Sequence, residues 1–139
     1  MLKKLFRALS TGGVSLAILP PNTAGSAGGF LHVSVSLRNS TQEPRFVHDI
    51  EFSLRAKTAK DDDGLGAVSI THAHPLGVEL LPGVQQDFSL EMPTRLPGGR
   101  ALDAVGSRYG YVLTGVPRIE GFSVSRPRAV EFGKGAVIS

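Results

Sequence analysis

Phe30-Leu31-His32-Val33-Ser34-Val35-Ser36-Leu37-Arg38 is the stretch on which the fold turns. Leu31, Val33, Val35 and Leu37 share one parity, and His32, Ser34, Ser36 and Arg38 share the other. Side chains repeat every two residues along a strand, so the pattern predicts a strand with one dry face and one wet face. The alternation returns over Val47–Lys57, after the polar turn Asn39–Pro44. There Ile50, Phe52, Leu54 and Ala56 are expected inward, and Asp49, Glu51, Ser53 and Arg55 outward. One wet face per strand is the mark of antiparallel sheets.

Working outward, Val14–Leu19 reads as a first short strand and Pro20–Gly29 as a loop. Ala67–His72 and Val84–Met92 read as further strands, the second carrying Phe88, Leu90 and Met92 against Asp87, Ser89 and Glu91. Tyr109, Tyr111 and Leu113 define another, followed by Phe122 and Val124, then Val130 and Phe132. About eight short strands separated by turn signals predict an all-β antiparallel β-sandwich.

Composition agrees. The chain has 139 residues, one domain's worth, with 17 Gly and 9 Pro. Hydrophobic residues are 41% and charged residues 19%, too apolar for disorder and too broken by turn-formers for long helices. No repeat and no linker divides it, so residues 14–139 are expected to form a single sandwich domain. There is no cysteine, which excludes disulfides and cysteine-based zinc or iron–sulfur sites.

Residues 1–13 are expected to form a basic amphipathic helix ahead of that domain. Leu2, Leu5, Phe6 and Leu9 fall on one helical face, with Lys3, Lys4 and Arg7 off it. Gly12 and Gly13 supply a stop. Such a short helix is marginal alone and needs a surface. One reading docks the four apolar side chains on the sandwich. The other sets Leu2, Lys3, Lys4, Leu5, Phe6, Arg7 and Leu9 against a partner groove or an anionic membrane, where each basic residue offers about 1 kcal/mol.

The formal net charge is +3, and Lys3, Lys4 and Arg7 account for the surplus. Residues 10–94 hold five basic and nine acidic side chains, and residues 95–139 hold seven and three. Aromatics are only 6%, Trp is absent and the C-terminal arginines are dispersed, so no nucleic-acid partner is expected. No run approaches the roughly 20 apolar residues of a membrane span, and no apolar core of a secretory signal follows the basic start. The expected location is cytoplasmic, with a peripheral position at the inner membrane face as the variant.

Motifs that would carry chemistry are weak. His72-x-His74 puts two imidazoles on one strand face, read as a solvated strand end before Pro75. Zinc asks for three or four protein ligands, so neither a metal site nor a cofactor is expected. Asp61-Asp62-Asp63-Gly64 lacks the alternate spacing of a calcium loop, and reads as an acidic hairpin tip open to protein contact. Gly64-x-Gly66 lacks the third glycine of a dinucleotide fingerprint. There is no P-loop and no Gly-x-Ser-x-Gly elbow. His48 and Asp49 are neighbours, but on a regular strand they point to opposite faces. No catalytic residue is expected. The tail Gly133–Ser139, with Ala136, Val137 and Ile138, reads either as frayed or as a strand for a neighbour's sheet edge.

Three stretches resemble the bacterial sporulation-control proteins, whose fold is arrestin-like. Met1-Leu2-Lys3-Lys4-Leu5-Phe6 running to Gly12-Gly13-Val14 is similar to that family's basic helix and first strand. Phe30–Leu54, ending in Phe52-Ser53-Leu54-Arg55, is similar to its paired strands. Leu81-Pro82-Gly83-Val84 through Phe88-Ser89-Leu90-Glu91-Met92-Pro93, then Tyr109-Gly110-Tyr111-Val112-Leu113, is similar to its turn, Phe-x-Leu strand and late aromatic strand. The family has two such domains, and this chain has length for one. The resemblance implies an arrestin-like, immunoglobulin-like sandwich that acts as a non-enzymatic scaffold. Such a scaffold is expected to bind protein partners, and the sheet edges are separately expected to let it self-associate into a homo-oligomer. The alternative is a peripheral membrane protein anchored by the N-terminal helix.

Overall fold

The computed structural model describes residues 13–21, 29–57, 69–94, 109–123 and 126–133. Residues 1–12, the segment carrying the expected helix, lie outside that set, as do Asp61, Asp62, Asp63, Val124 and residues 134–139.

The described residues form seven strands: β1 Val14–Ile18, β2 Phe30–Asn39, β3 Arg45–Ala56, β4 Ser69–Leu80, β5 Gln85–Pro93, β6 Tyr111–Ile119 and β7 Arg128–Phe132. They make two sheets, β1-β2-β5 and β4-β3-β6-β7, and every pairing is antiparallel. The alternating stretches do what their period requires. Leu31, Val33, Val35 and Leu37 are buried on β2, and Ile50, Phe52, Leu54 and Ala56 on β3. Register sets Leu31 opposite Met92, Val33 opposite Leu90, and Leu16 opposite Leu37. Burying a side chain of this kind fully contributes about 1.5–3 kcal/mol.

The inner faces of the two sheets share one core. At Gly115 on β6 the two sheets pack tightly. A Cβ there would come within 2.9 Å of Leu16, 3.1 Å of Ile18 and 3.2 Å of Phe52. Absence of a side chain at Gly115 therefore lets β1 of one sheet settle onto β6 of the other.

One polar side chain ties the end of the fold together. Asn39 has no exposed surface. Its Nδ2 donates to the carbonyls of Glu43 at 2.8 Å and Leu80 at 2.9 Å. Its Oδ1 accepts from the Thr41 amide at 2.9 Å and the Thr41 hydroxyl at 2.6 Å. All four positions of the amide are filled, which is the condition for burying it. The Asn39 backbone also pairs with Val84 and Gly83, so the β2–β3 and β4–β5 turns meet at this residue. In the second turn Gly83 has φ +75°, a conformation that favours glycine.

Three strand expectations need correction. β6 begins at Tyr111, so Tyr109 lies ahead of it and not in it. β4 does not stop at His72 but continues through Pro75 to Leu80. Phe122 belongs to the turn after β6 and not to a strand of its own. It is half-buried there, with the Arg45 guanidinium 4.9 Å from its ring centroid, a cation–π contact.

Candidate functional site

The site begins with an irregularity in β3. Val47 pairs with Ile119 and Asp49 with Arg118, so His48 is an extra residue against β6. On the other side Val47 pairs with Val78 and Asp49 with Pro75, which leaves two residues of β4, Leu76 and Gly77, opposite His48. Gly77 has φ +60° and supplies the turn that this requires. A bulge shifts the parity of the strand. Val47 and Ile50 are both buried in the core, while His48 and Asp49 both lie on the outer face. The expectation that His48 and Asp49 point apart is thereby overturned, because it assumed an unbroken strand.

Asp49 is expected outward and is so, yet it is only 8% exposed. Arg118, directly opposite on β6, covers it. Arg118 Nε donates to Asp49 Oδ1 at 2.7 Å, and Nη2 donates to Oδ2. This two-point geometry suits a planar guanidinium and a carboxylate. The hydrogen bond to Asp49, then the charge of Asp49, raises the Arg118 pKa above its ordinary value, so the guanidinium stays charged. Its side chain remains 61% exposed, with further N–H groups beyond the two committed to Asp49.

Around this pair lies an open cleft of about 620 Å³, lined by His48, Glu51, Val116, Pro117, Arg118, Phe122 and Ser123. Val116 and Pro117 give an apolar floor, Phe122 an aromatic wall, and Arg118 and Glu51 opposite charges. Phe46 packs against the His48 ring edge-on at 4.9 Å and orients it.

His72 and His74 are not at a solvated strand end. They sit in the middle of β4, opposite Phe52 and Ile50, on its core-facing side. Both are half-buried, with ring centroids 6.1 Å apart. Burial, and then the charge of His72, hold His74 below its ordinary value. Among the described residues β4 is an edge strand, so in that set this part of the inner face has no neighbour along one side. Among the described residues, no group of three or more His, Cys, Asp or Glu could hold a metal ion, and no helix is long and apolar enough to cross a membrane.

The residues of the helix face (Leu2, Lys3, Lys4, Leu5, Phe6, Arg7 and Leu9) and of the acidic tip (Asp61, Asp62 and Asp63) lie outside the described residues. Of the cleft residues, sequence reasoning weighed only His48 for chemistry, beside Asp49, and set the two on opposite faces. A signal for them exists: Val47 and Ile50 are both apolar but of opposite parity, which a strand accommodates only with a bulge.

No protein-family model matches the chain, and no curated protein matches it. Solved structures with a similar arrangement of strands exist. The ApaA protein from Bordetella pertussis is 12% identical, with 86% of this chain and 87% of that one covered and a TM-score of 0.46. Spo0M, a sporulation control protein from Bacillus subtilis, is 14% identical over 86% of this chain, with a TM-score of 0.43. There the chain spans 47% of the other protein's length. A β-glucosidase from Listeria innocua is 14% identical over 89% of this chain and 16% of its own, with a TM-score of 0.45. At these identities and scores the likenesses assign neither a family nor an activity.

Proposed function

We propose that this chain is a non-enzymatic interaction module: a single-domain, arrestin-like β-sandwich of the sporulation-control type that binds protein partners and associates with its own copies through edge strands. The observation that carries the reading is that, among the described residues, both sheets end in edge strands. Among the described residues β1, β5, β4 and β7 each have one neighbouring strand. An edge strand presents a row of backbone groups able to pair with another chain. The Ser69–His74 part of β4 carries no Asp, Glu, Lys or Arg to discourage such pairing, whereas Pro75 and Gly77 interrupt it further on. The cleft at Arg118 supplies a second surface of mixed chemistry for a different partner. The sequence resemblance supports the same class.

The test is light scattering of the full chain across a concentration series, at low and high salt. Self-association that survives salt is the expected result, and Thr71→Lys with Ala73→Lys, two exposed positions on the β4 edge, reduces it. A monomer under all conditions removes the self-association half of the reading.

A further inference from the structure

We propose that His72 and His74 form a two-imidazole site for an exchangeable borderline divalent cation of the Zn2+, Ni2+ or Cu2+ type. Three observations carry it. Both rings project from the same face of one strand, because they are two residues apart on regular β4. Both are half-buried over Phe52 and Ile50, which limits their freedom before any ion arrives. Their ring centroids are 6.1 Å apart. With a metal–nitrogen bond of about 2.0–2.1 Å, each ring centroid sits roughly 3.2 Å from a shared ion, so the two centroids lie at most about 6.4 Å apart. The observed separation is inside that limit. Closing it by about 1 Å, through small χ rotations, brings the two bonds to the angle that tetrahedral coordination asks for.

The choice of cation follows from the ligands. Neutral imidazole favours Cu2+, Ni2+ and Zn2+ over Mg2+ or Ca2+, which take oxygen. Two protein ligands are fewer than the three or four of a resident zinc site and leave positions for water, which makes the ion exchangeable. The open side of the edge strand gives it a way in. His32 on β2 and His48 at the bulge are both exposed and stand apart from this pair and from each other, so they serve as internal controls.

The experiment uses the full chain without a histidine tag. Ni2+ or Cu2+ is added while the imidazole resonances are followed by NMR, and Zn2+ binding is followed by calorimetry. Broadening of His72 and His74 ahead of His32 and His48 is expected, with one saturable Zn2+ event lost in His72→Gln and in His74→Gln. Broadening of all four histidines together overturns the site. So does the absence of any saturable event, or an event that survives in the double variant. The wild-type NMR pattern decides the matter even where a variant fails to fold.

Discussion

Asn39→Leu is the substitution that most directly tests how the two turns are held. The leucine is close in size but removes four side-chain hydrogen bonds, to Glu43, Leu80 and twice to Thr41. A hydrogen bond contributes about 1 kcal/mol net, so the loss is roughly 4 kcal/mol. Only one partner of each bond is replaced. The bond to the Leu80 carbonyl is itself buried, so that acceptor loses its donor where water cannot easily take over. Chemical denaturation in urea should show the midpoint falling with the slope unchanged. In a thermal melt the same loss lowers Tm by about 10–15 °C for a chain of this size. Asn39→Asp separates donors from acceptors. It keeps the oxygen that Thr41 uses, but sets a carboxylate against the carbonyls of Glu43 and Leu80, so at neutral pH it should be at least as damaging. A loss below about 1 kcal/mol for both variants refutes the argument, since one net hydrogen bond would then exceed the whole effect.

Gly115→Ala should lower stability by about 1–3 kcal/mol, because its Cβ would press on Leu16, Ile18 and Phe52 between the sheets; a melt as stable as wild type would show that the sheets can separate freely there. Arg118→Ala should destabilise more than its own exposure suggests, since it uncovers the carboxylate of Asp49. Asp49→Asn in the same chain should recover part of that loss, and strict additivity in a double-mutant cycle would deny the coupling. Stability should also depend on pH through His74. Its folded pKa is depressed, so between that value and 6.5 the unfolded chain binds more protons. Stability then rises with pH in this window and is lost as pH falls through the folded value. His74→Gln should flatten that part of a pH series of melts, and an unchanged slope would assign the effect to other groups.

The strands were largely legible because they are regular. On β2 the period-two pattern names its buried residues directly, and no distant contact is needed to read it. β4 was legible only to His72, because Pro75 reads as an end in isolation. In the fold Pro75 and Gly77 mark a bulged edge strand, where a missing N–H and a positive φ are tolerated. Asn39 read as an ordinary turn residue, since its side-chain bonds to Thr41 and Glu43 are local and the tie to the distant segment runs through Leu80 and the backbone of Gly83 and Val84.

The cleft was the least legible part. It needs His48 and Asp49 on one face, Arg118 opposite Asp49 on β6, and Phe122 brought round by the following turn. By itself, the sequence determined which residues share a strand face and therefore that the chain forms two-faced antiparallel sheets. Only the tertiary structure decided where register shifts, which carboxylate an arginine covers, and that His72 and His74 face the core. Alternation is a property of one strand's pleat, whereas register and bulges arise from pairing between segments far apart in the chain.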